Sequence, residues 1–249
     1  MTRIRRVKAA PARPVTPRLH LMQFRLNPAS PGARRDLRNR HAMHRTLTWG
    51  LPWSGEAVDR PATGDHGRLL WRLINHADSP YPELLVQVPE DLGFDPERLL
   101  DSDATADGWG ELTGDRYWVP GDLDAGSTLR FDVELNALRR GIEDQRSGRP
   151  VTRALIGQAQ VVPWLGERAD LAGFTLLEGW GMSQTHTLMK SETAQIREGR
   201  GIQTTKLVVS RIEGRLRVDD PAVFAQTCAF GLGRGRAFGC GLFLVGRAG

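Results

Sequence analysis

The sequence predicts an α+β fold built from two units in tandem, and three observations lead to this prediction. Residues 18–138 follow the order β-α-β-β-α-β, which is that of a ferredoxin-like unit. Residues 150–249 supply a second α+β unit that ends in a helix, a glycine-rich loop and a strand. Between them, the charged segment 139–153 contains glycine and proline and suggests a domain boundary. Two similar halves would leave a cleft between their sheets, although no internal sequence repeat is detectable.

The first residues have a composition that cannot form a packed core. Residues 1–17 contain five basic residues and three prolines, which predicts a flexible extension and a folded part that begins near Arg18. Leu19 to Leu26 alternates between two sets of side chains and is predicted to be a strand. After a break at Asn27–Pro31, a basic helix is predicted from about Gly32 to Thr48.

Shorter patterns predict the rest of the first unit. Leu69–Asn75 and Glu83–Val88 are typical of strands, and prolines bound the second of them. Pro96–Asp101 indicates a short helix. The segment Asp101–Asp124 is acidic, glycine-rich and without clear periodicity, which predicts a loop. Thr128–Asn136 alternates cleanly and is predicted to be the last strand of this unit.

The second unit is predicted in the same way. A helix interrupted near Pro163 is expected over Thr152–Leu171, with Trp164, Leu165 and Leu171 as its anchors. A strand is predicted at Phe174–Met182, followed by a basic hairpin or loop at Ser183–Thr205. A hairpin is predicted next, with strands at Lys206–Ile212 and Arg215–Val218 and its turn at Glu213–Gly214. Asp220 and Pro221 start a predicted helix at 221–229, and the last predicted strand is Leu242–Val245.

The bulk composition narrows the class of protein. A hydrophobic content of 40% and a charged content of 25% over 249 residues are typical of a soluble globular protein. No apolar run reaches membrane-spanning length, and the basic N-terminus has no apolar segment behind it that would make a secretory signal. Cys228 and Cys240 are too few for a disulfide framework and lack zinc-finger spacing. We therefore expect a cytoplasmic protein with packed thiols and no membrane partner.

The charges are segregated along the chain. Residues 1–45 contain 12 Lys/Arg and one acidic residue, Asp36, whereas residues 46–196 contain 13 Lys/Arg and 24 Asp/Glu, and residues 197–249 contain 9 and 4. Two basic ends around an acidic middle indicate a polyanionic partner that contacts both ends. A basic tail that needs no specific partner would account for part of the N-terminal charge.

The C-terminal loop has a composition suited to phosphate. Glycine recurs at 231, 233, 235, 239 and 241, with Arg234 and Arg236 between. Glycines admit positive φ angles, successive free N–H groups form an anion site, and arginine forks match phosphate oxygens. A helix precedes this loop and a strand follows it, which is the reverse of a dinucleotide-binding fold, and the Gly-Lys-Ser/Thr ending of a P-loop is missing. A plain glycine-rich connection whose arginines face water stays open as an alternative.

Two histidines on the basic helix are candidates for acid–base chemistry. His41 and His44 share one face at i, i+3 spacing, among several arginines. An imidazole that faces a phosphate can transfer protons near neutral pH, which RNA cleavage by 2′-hydroxyl attack requires, without a metal. Spacing alone favours the alternative, a surface or packing histidine. The pair lacks a third ligand at metal-site spacing, and no Gly-x-Ser-x-Gly elbow supports serine catalysis.

Motifs at both ends of the chain resemble one known family. Asn27–Ser30, Arg34–Leu37 and Met43–Leu47 look like the start of CasE, the CRISPR repeat-processing endoribonuclease of the type I-E Cascade complex. Gly231–Leu242 is similar to the glycine-rich loop of that family. Internal stretches that match it are Arg130–Asn136, Glu213–Leu216 and Trp164–Leu165, so the resemblance covers about residues 19–249.

This resemblance implies a fold of two tandem ferredoxin-like (RRM-like) domains and a function. It implies metal-independent cleavage of the CRISPR repeat at the base of its stem-loop, leaving a 2′,3′-cyclic phosphate and a 5′-hydroxyl, with no small-molecule cofactor. The enzyme would keep its product, so its partners would be repeat RNA, mature crRNA and the other Cascade subunits. His44 falls on the catalytic histidine of the family. His41 stands where the family usually has tyrosine and would have a supporting role.

Four arginines of the helix and the arginines and glycines of the C-terminal loop are expected to contact the RNA. They are Arg34, Arg35, Arg38, Arg45, Gly231, Gly233, Arg234, Gly235, Arg236, Gly239 and Gly241. Two other functions are open on the sequence. One is a catalytically silent RNA-binding subunit of the same fold, and the other is a nucleotide-binding enzyme that uses the glycine loop, which the order of helix and loop disfavours.

Overall fold

A computed structural model describes residues 16–52, 63–143, 150–191 and 203–247. The expected flexible extension lies almost entirely outside these residues. The helices are α1 (Pro31–Arg38), α2 (Arg40–Leu47), α3 (Pro96–Leu100), α4 (Gln158–Ala169) and α5 (Pro221–Phe230). The strands are β1 (Leu19–Leu26), β2 (Thr63–Gly64), β3 (Gly67–Arg68), β4 (Leu70–Ile74), β5 (Glu83–Pro89), β6 (Gly110–Trp118), β7 (Thr128–Leu135), β8 (Leu138–Glu143), β9 (Pro150–Ala154), β10 (Phe174–Leu176), β11 (Gly181–Ser191), β12 (Gln203–Val218) and β13 (Phe243–Arg247).

The first half is a complete ferredoxin-like unit. Its sheet has the order β4-β5-β1-β6, and each neighbouring pair is antiparallel. One face of β1 contributes Met22, Phe24 and Leu26 to a core that includes Met43 and Leu47 of α2. The alternation that predicted β1 is thus the alternation between this core and the opposite face of the sheet.

The second half repeats the same topology. Its sheet has the order β10-β12-β7-β13, with β11 also paired to β12, and α4 and α5 cover one face. Phe131, Phe174, Phe224 and Phe243 pack together in its core. The two tandem ferredoxin-like domains expected from the sequence are therefore confirmed.

The assignment of strands to the first unit was partly wrong. Thr128–Leu135 is a strand, but it pairs with β12 and β13 in the second sheet. The fourth strand of the first sheet is Gly110–Trp118, inside the segment that was predicted to be a loop. As an edge strand it pairs only with β1 and is largely exposed, so it needs few apolar residues and shows little periodicity. The chain therefore passes from the first sheet to the second between Trp118 and Thr128, ahead of the expected boundary segment.

Three predictions in the second half also need correction. The expected boundary segment is a hairpin, in which β8 pairs with β9 and only 144–149 lies outside the described residues. The predicted turn at Glu213–Gly214 is the interior of β12, where the missing side chain of Gly214 lets Trp180 approach. The expected anchor Leu171 is 82% exposed, whereas Trp164 and Leu165 are buried as predicted.

The remaining differences in this half are smaller. The strand expected at Phe174–Met182 is divided into β10 and the start of β11, both paired with β12. The expected basic hairpin or loop overlaps the paired strands β11 and β12, and 192–202 lies outside the described residues. Both cysteines are buried free thiols, as expected. No helix among the described residues is long and apolar enough to cross a membrane.

The two halves contact each other through apolar and charged residues. Leu21, Leu70 and Leu85 of the first sheet pack against Leu242, which precedes β13. Next to them, the buried Arg72 of β4 donates a hydrogen bond to Asp132 of β7 at 2.9 Å. This contact fills part of the cleft expected between the sheets, and it brings the C-terminal loop to the first half.

Candidate functional site

The basic helix of the sequence is two helices, and the break places both histidines. Asn39 has extended backbone angles, and its side chain accepts hydrogen bonds from the amides of His41 and Ala42. It therefore ends α1 and caps the N-terminus of α2. Met43 and Leu47 of α2 are buried in the first core, which leaves His41 and His44 on a different face of the helix.

That face of α2 meets the glycine-rich loop. The guanidinium of Arg40 donates to the carbonyl oxygen of Phe238 at 2.8 Å, and the rings of His41 and Phe238 lie 6.3 Å apart between centroids. Gly239 sits against the ring of Trp71, which a Cβ atom would approach to 2.8 Å. The loop is therefore held beside α2 by contacts that need a glycine.

The five glycines of the loop matter more for its backbone shape than for supplying a row of free amides. All five, at 231, 233, 235, 239 and 241, have φ angles between +72° and +89°, in the region that favours glycine. However, the amides of Gly231, Leu232, Phe238, Gly239, Cys240 and Gly241 all donate to backbone carbonyls. The interpretation of the loop as a cradle of free N–H groups is therefore wrong for these six residues.

The structure brings three basic side chains together from distant parts of the sequence. His44 comes from α2, Arg236 from the loop and Arg68 from the short hairpin of β2 and β3. All three are partly buried. Nδ1 of His44, Nε of Arg68 and Nε of Arg236 are buried and have no hydrogen-bond partner within the described part of the chain. The two arginine donors in this arrangement are suited to an anion.

The environment of His44 keeps its imidazole neutral. Burial, the charge of Arg68 and the charge of His41 lower its pKa from 6.5 to about 4. Burial and the charge of Arg236 lower the pKa of Arg68, and burial lowers that of Arg236. A neutral imidazole at neutral pH is able to accept a proton.

Arg68 was missed because no local pattern points to it. It is a single arginine in a strand of two residues, between Gly67 and Leu69. Gly67 packs against the carbonyl oxygen of Ala229, which a Cβ would approach to 2.8 Å, so the hairpin is seated on the end of α5. The glycine before the arginine is a signal of close backbone approach, but nothing in the sequence gives the partner.

The arginines predicted to bind RNA are dispersed. Arg236 lies in the cluster, whereas Arg234 is exposed on the neighbouring turn, where it forms an isolated bridge with Asn136. Arg34 donates to the carbonyls of Pro28 and Ala29, and Arg35 pairs with Asp36 at 2.8 Å. Arg38 and Arg45 are exposed on α1 and α2. The charge of α1 is thus partly engaged by its own segment.

Comparison with known proteins gives consistent matches. The family model described as CRISPR associated protein matches residues 19–247. The CRISPR-associated endoribonuclease Cse3 of Thermus thermophilus is 34% identical over 228 residues, which cover 90% of this chain and 98% of that protein.

Solved structures extend this likeness to the whole fold. The structure of Thermus thermophilus Cse3 bound to an RNA representing a pre-cleavage complex matches with a TM-score of 0.67 and 30% identity, over 92% of this chain and 99% of that one. A chain of a CRISPR RNA-guided surveillance complex, pre-nicking, shares the fold with a TM-score of 0.64 and 22% identity, over 92% of this chain and all of that one. Among the described residues, no group of three or more His, Cys, Asp or Glu side chains is placed to hold a metal ion. This chain belongs to the CRISPR-associated protein family that contains Cse3, the family also called CasE that its terminal motifs resemble.

Proposed function

We propose that this protein is an endoribonuclease that cleaves CRISPR precursor RNA within each repeat, at the base of the stem-loop. The cleavage needs no metal, proceeds by attack of the 2′-hydroxyl, and leaves a 2′,3′-cyclic phosphate and a 5′-hydroxyl. The protein then stays bound to the mature crRNA in a Cascade complex, in the cytoplasm. The observation that carries the proposal is the neutral, partly buried His44 beside Arg68, which in turn lies close to Arg236, with the Nε atoms of both arginines buried and without a hydrogen-bond partner among the described residues.

His44 supplies the base in this mechanism. With a pKa of about 4 its imidazole is unprotonated at neutral pH and able to take the proton of the 2′-hydroxyl. Arg236 faces the phosphate that this hydroxyl attacks and offsets the charge of the phosphorane. His41, one turn earlier on the same helix, is assigned the supporting role of returning a proton.

Bound RNA would itself adjust the basicity of His44. The charge of Arg68 is one of the causes of its low pKa, and a phosphate anion beside that guanidinium offsets the charge. The pKa then rises from about 4 toward the ordinary histidine range, where the imidazolium formed in the reaction is more stable. The low value in the free protein is therefore compatible with catalysis near neutral pH.

The decisive experiment is single-turnover cleavage of the genomic repeat RNA by a His44→Ala variant. We expect cleavage to be abolished while the affinity for a repeat with a 2′-deoxy group at the cleavage site is retained, because the imidazole acts on the proton and not on the bulk of the RNA. Product analysis should show the cyclic phosphate with the wild type only. Cleavage at the wild-type rate by the variant would remove the assignment, and a wild type that binds without cleaving would indicate the silent RNA-binding subunit.

Metal independence is tested by the same assay in a chelator. We expect the single-turnover rate to be unchanged in excess EDTA, since a histidine base and guanidinium charges supply what a metal would otherwise supply. A strict requirement for an added divalent cation would contradict the mechanism.

The loop arginines should contribute electrostatically to RNA binding. Replacing both Arg234 and Arg236 by glutamine should weaken binding and flatten its dependence on salt, because fewer counterions are released when fewer phosphates are neutralised. The measurement is the affinity for the 2′-deoxy repeat across a series of salt concentrations. An unchanged slope would show that neither side chain contacts a phosphate.

A further inference from the structure

We propose that Arg68 contacts the non-bridging oxygens of the scissile phosphate and, together with Arg236, stabilises the phosphorane. This inference rests on the proposed function and deepens it, since it adds to the reaction a residue from the first half of the chain. Arg68 lies beside His44 and Arg236 lies beside Arg68, on two different segments, so the phosphate would be held between the two ferredoxin-like domains.

The first argument is that Arg68 lacks the partner that buried arginines normally have. Its Nε is buried with no hydrogen bond, and it forms no ion pair with any residue the structure describes. Leaving a buried charged donor unpaired is costly in free energy. The free protein therefore carries this unfavourable free energy, and an anion that binds to the donor relieves it.

The second argument is the contrast with two arginines in the same region. Arg40 pairs with Glu134 at 3.3 Å, and Arg72 pairs with Asp132 at 2.9 Å and with Glu134 at 3.6 Å. The second sheet thus provides acidic partners for guanidiniums that join the two halves. Arg68 and Arg236 receive none from the described residues, and they lie close enough for the charge of Arg236 to lower the pKa of Arg68. Two like charges kept together without an acid indicate a site for a negatively charged ligand.

The third argument is the rigidity of the segment that carries Arg68. Gly67 seats the hairpin against Ala229 at the end of α5, and Gly231, directly after α5, sits against the side chain of Leu70. Arg68 is therefore fixed against the start of the glycine-rich loop. A charge that is already in place requires no reorganisation when the transition state forms.

The reaction uses this pair of charges in a balanced step. The 2′-oxygen forms a bond to phosphorus and gives its proton to His44, and the bond from phosphorus to the 5′-oxygen breaks as that oxygen takes up a proton from His41. A phosphodiester carries one negative charge, and the phosphorane between the two bond changes carries more on its non-bridging oxygens. Two guanidiniums match the phosphorane better than the ground state, which favours rate over affinity.

The test compares Arg68→Gln, Arg68→Lys and a matched control, Arg217→Gln. Arg217 is an exposed arginine that pairs with Asp219 on the second sheet. We expect Arg68→Gln to lower the single-turnover rate by about 10²–10³-fold, as for removal of one donor to a developing oxyanion. Arg68→Lys should recover part of the rate because it keeps the charge without the fork, and the control should cleave normally. The affinity for the 2′-deoxy repeat should fall less than tenfold in both Arg68 variants.

The outcomes separate this inference from the proposed function. Full cleavage by Arg68→Gln together with no cleavage by His44→Ala would overturn the role of Arg68 and keep that of His44. No cleavage by Arg68→Gln together with full cleavage by His44→Ala would overturn the role of His44 and keep that of Arg68. A loss of affinity as large as the loss of rate in Arg68→Gln would also overturn the inference, because it would describe ground-state binding. Comparable melting temperatures of the variants exclude unfolding as the cause, and the Lys variant covers the case in which the Gln variant does not fold.

A second measurement needs no RNA. The charges that act on His44 are those of Arg68 on the hairpin and His41 on its own helix; Arg236 on the loop lies beside Arg68, and Arg40 is paired with Glu134. Removing the charge of Arg68 should therefore raise the pKa of His44 above about 4, as followed by the NMR shift of its ring proton. The control variant should leave this pKa unchanged. An unaltered pKa in Arg68→Gln would show that the guanidinium is not beside the imidazole.

Discussion

At the scale of the residue, the proposed chemistry depends on how the fold shifts the proton affinity of one histidine. His44 lies on a short helix whose other side is buried in a core, and its own surroundings are basic. Burial and two nearby charges act in the same direction and lower its pKa. The site therefore holds a base that stays neutral well below pH 7.

This shift predicts a dependence of stability on pH. In the unfolded chain His44 has a pKa near 6.5, and in the folded protein it is about 4, so the unfolded state binds more protons between these values. The stability should be complete above about pH 6.5 and should fall as the pH is lowered toward 4, by at most about 3 kcal/mol.

Urea denaturation of wild type and His44→Gln at a series of pH values measures this effect. The variant should lose this part of the pH dependence, whereas His76→Gln, at an exposed histidine, should keep it. Parallel curves for wild type and His44→Gln would show that the imidazole is not desolvated.

At the scale of the element, the site depends on close backbone approach. The glycine-rich loop packs beside α2 and against Trp71 of β4 because Gly239 has no Cβ atom that would clash with the Trp71 ring. In the same way, the hairpin of Arg68 packs against Ala229 of α5 because Gly67 has no Cβ atom. Both elements bring an arginine to the site. Their glycines are required for packing, and the arginines beside them provide the charge.

Gly239→Ala is expected to damage both stability and activity. The residue has φ of +76°, and the new Cβ would lie 2.8 Å from the Trp71 ring. We expect a loss of at least about 2 kcal/mol in the free energy of unfolding, from the left-handed backbone and the clash together. Cleavage should slow as well, because the loop moves away from α2. Urea denaturation and single-turnover cleavage measure the two effects.

Gly246→Ala is the matched control, since Gly246 lies in β13 with no atom within 4 Å of the new Cβ. Its stability should stay within about 0.5 kcal/mol of the wild type. Equal destabilisation by the two substitutions would contradict the packing account.

At the scale of the whole molecule, the site exists only because the two halves are held together. His44 and Arg68 belong to the first half, whereas Arg236 belongs to the second. The halves are joined by the cluster of Leu21, Leu70, Leu85 and Leu242 and by the ion pairs of Arg72. Mutations at this contact should therefore affect catalysis from a distance.

Arg72→Ala tests this coupling. The Arg72 side chain is 3% exposed, and its removal leaves Asp132 without its partner across the halves. Glu134 keeps its pair with Arg40, so the loss falls on the buried pair with Asp132. We expect a loss of about 3 kcal/mol in stability, as for other broken buried ion pairs, and slower cleavage. Arg25→Ala, which removes an exposed ion pair with Glu111 from the same sheet, should change stability by less than about 1 kcal/mol. Similar effects of both substitutions would argue against a structural role for the contact between the halves.

The secondary structure was predictable where one face of an element is buried. The alternation of β1, the cap and proline of α5 and the apolar run of β13 each carry their own signal. The edge strand β6 carries no such signal, because its exposure removes the alternation of apolar and polar residues. Gly214 inside β12 looks like a turn residue in the sequence, because its contact with Trp180 is visible only in the tertiary structure. For the same reason Thr128–Leu135 was recognised as a strand but assigned to the wrong sheet, since alternation does not specify the partner strand.

The sequence by itself determined the α+β class, the basic helix with its two histidines, and the glycine- and arginine-rich loop, because each depends on residues close together in the chain. Only the tertiary structure decided that Arg68 lies with His44 and Arg236, and that arginines of α1 bond to groups of their own segment. It also decided that most amides of the loop donate to backbone carbonyls. The physical reason is that an electrostatic site is a property of distances between charges and of their burial. Both are set here by the packing of two domains, and neither is encoded in any single stretch.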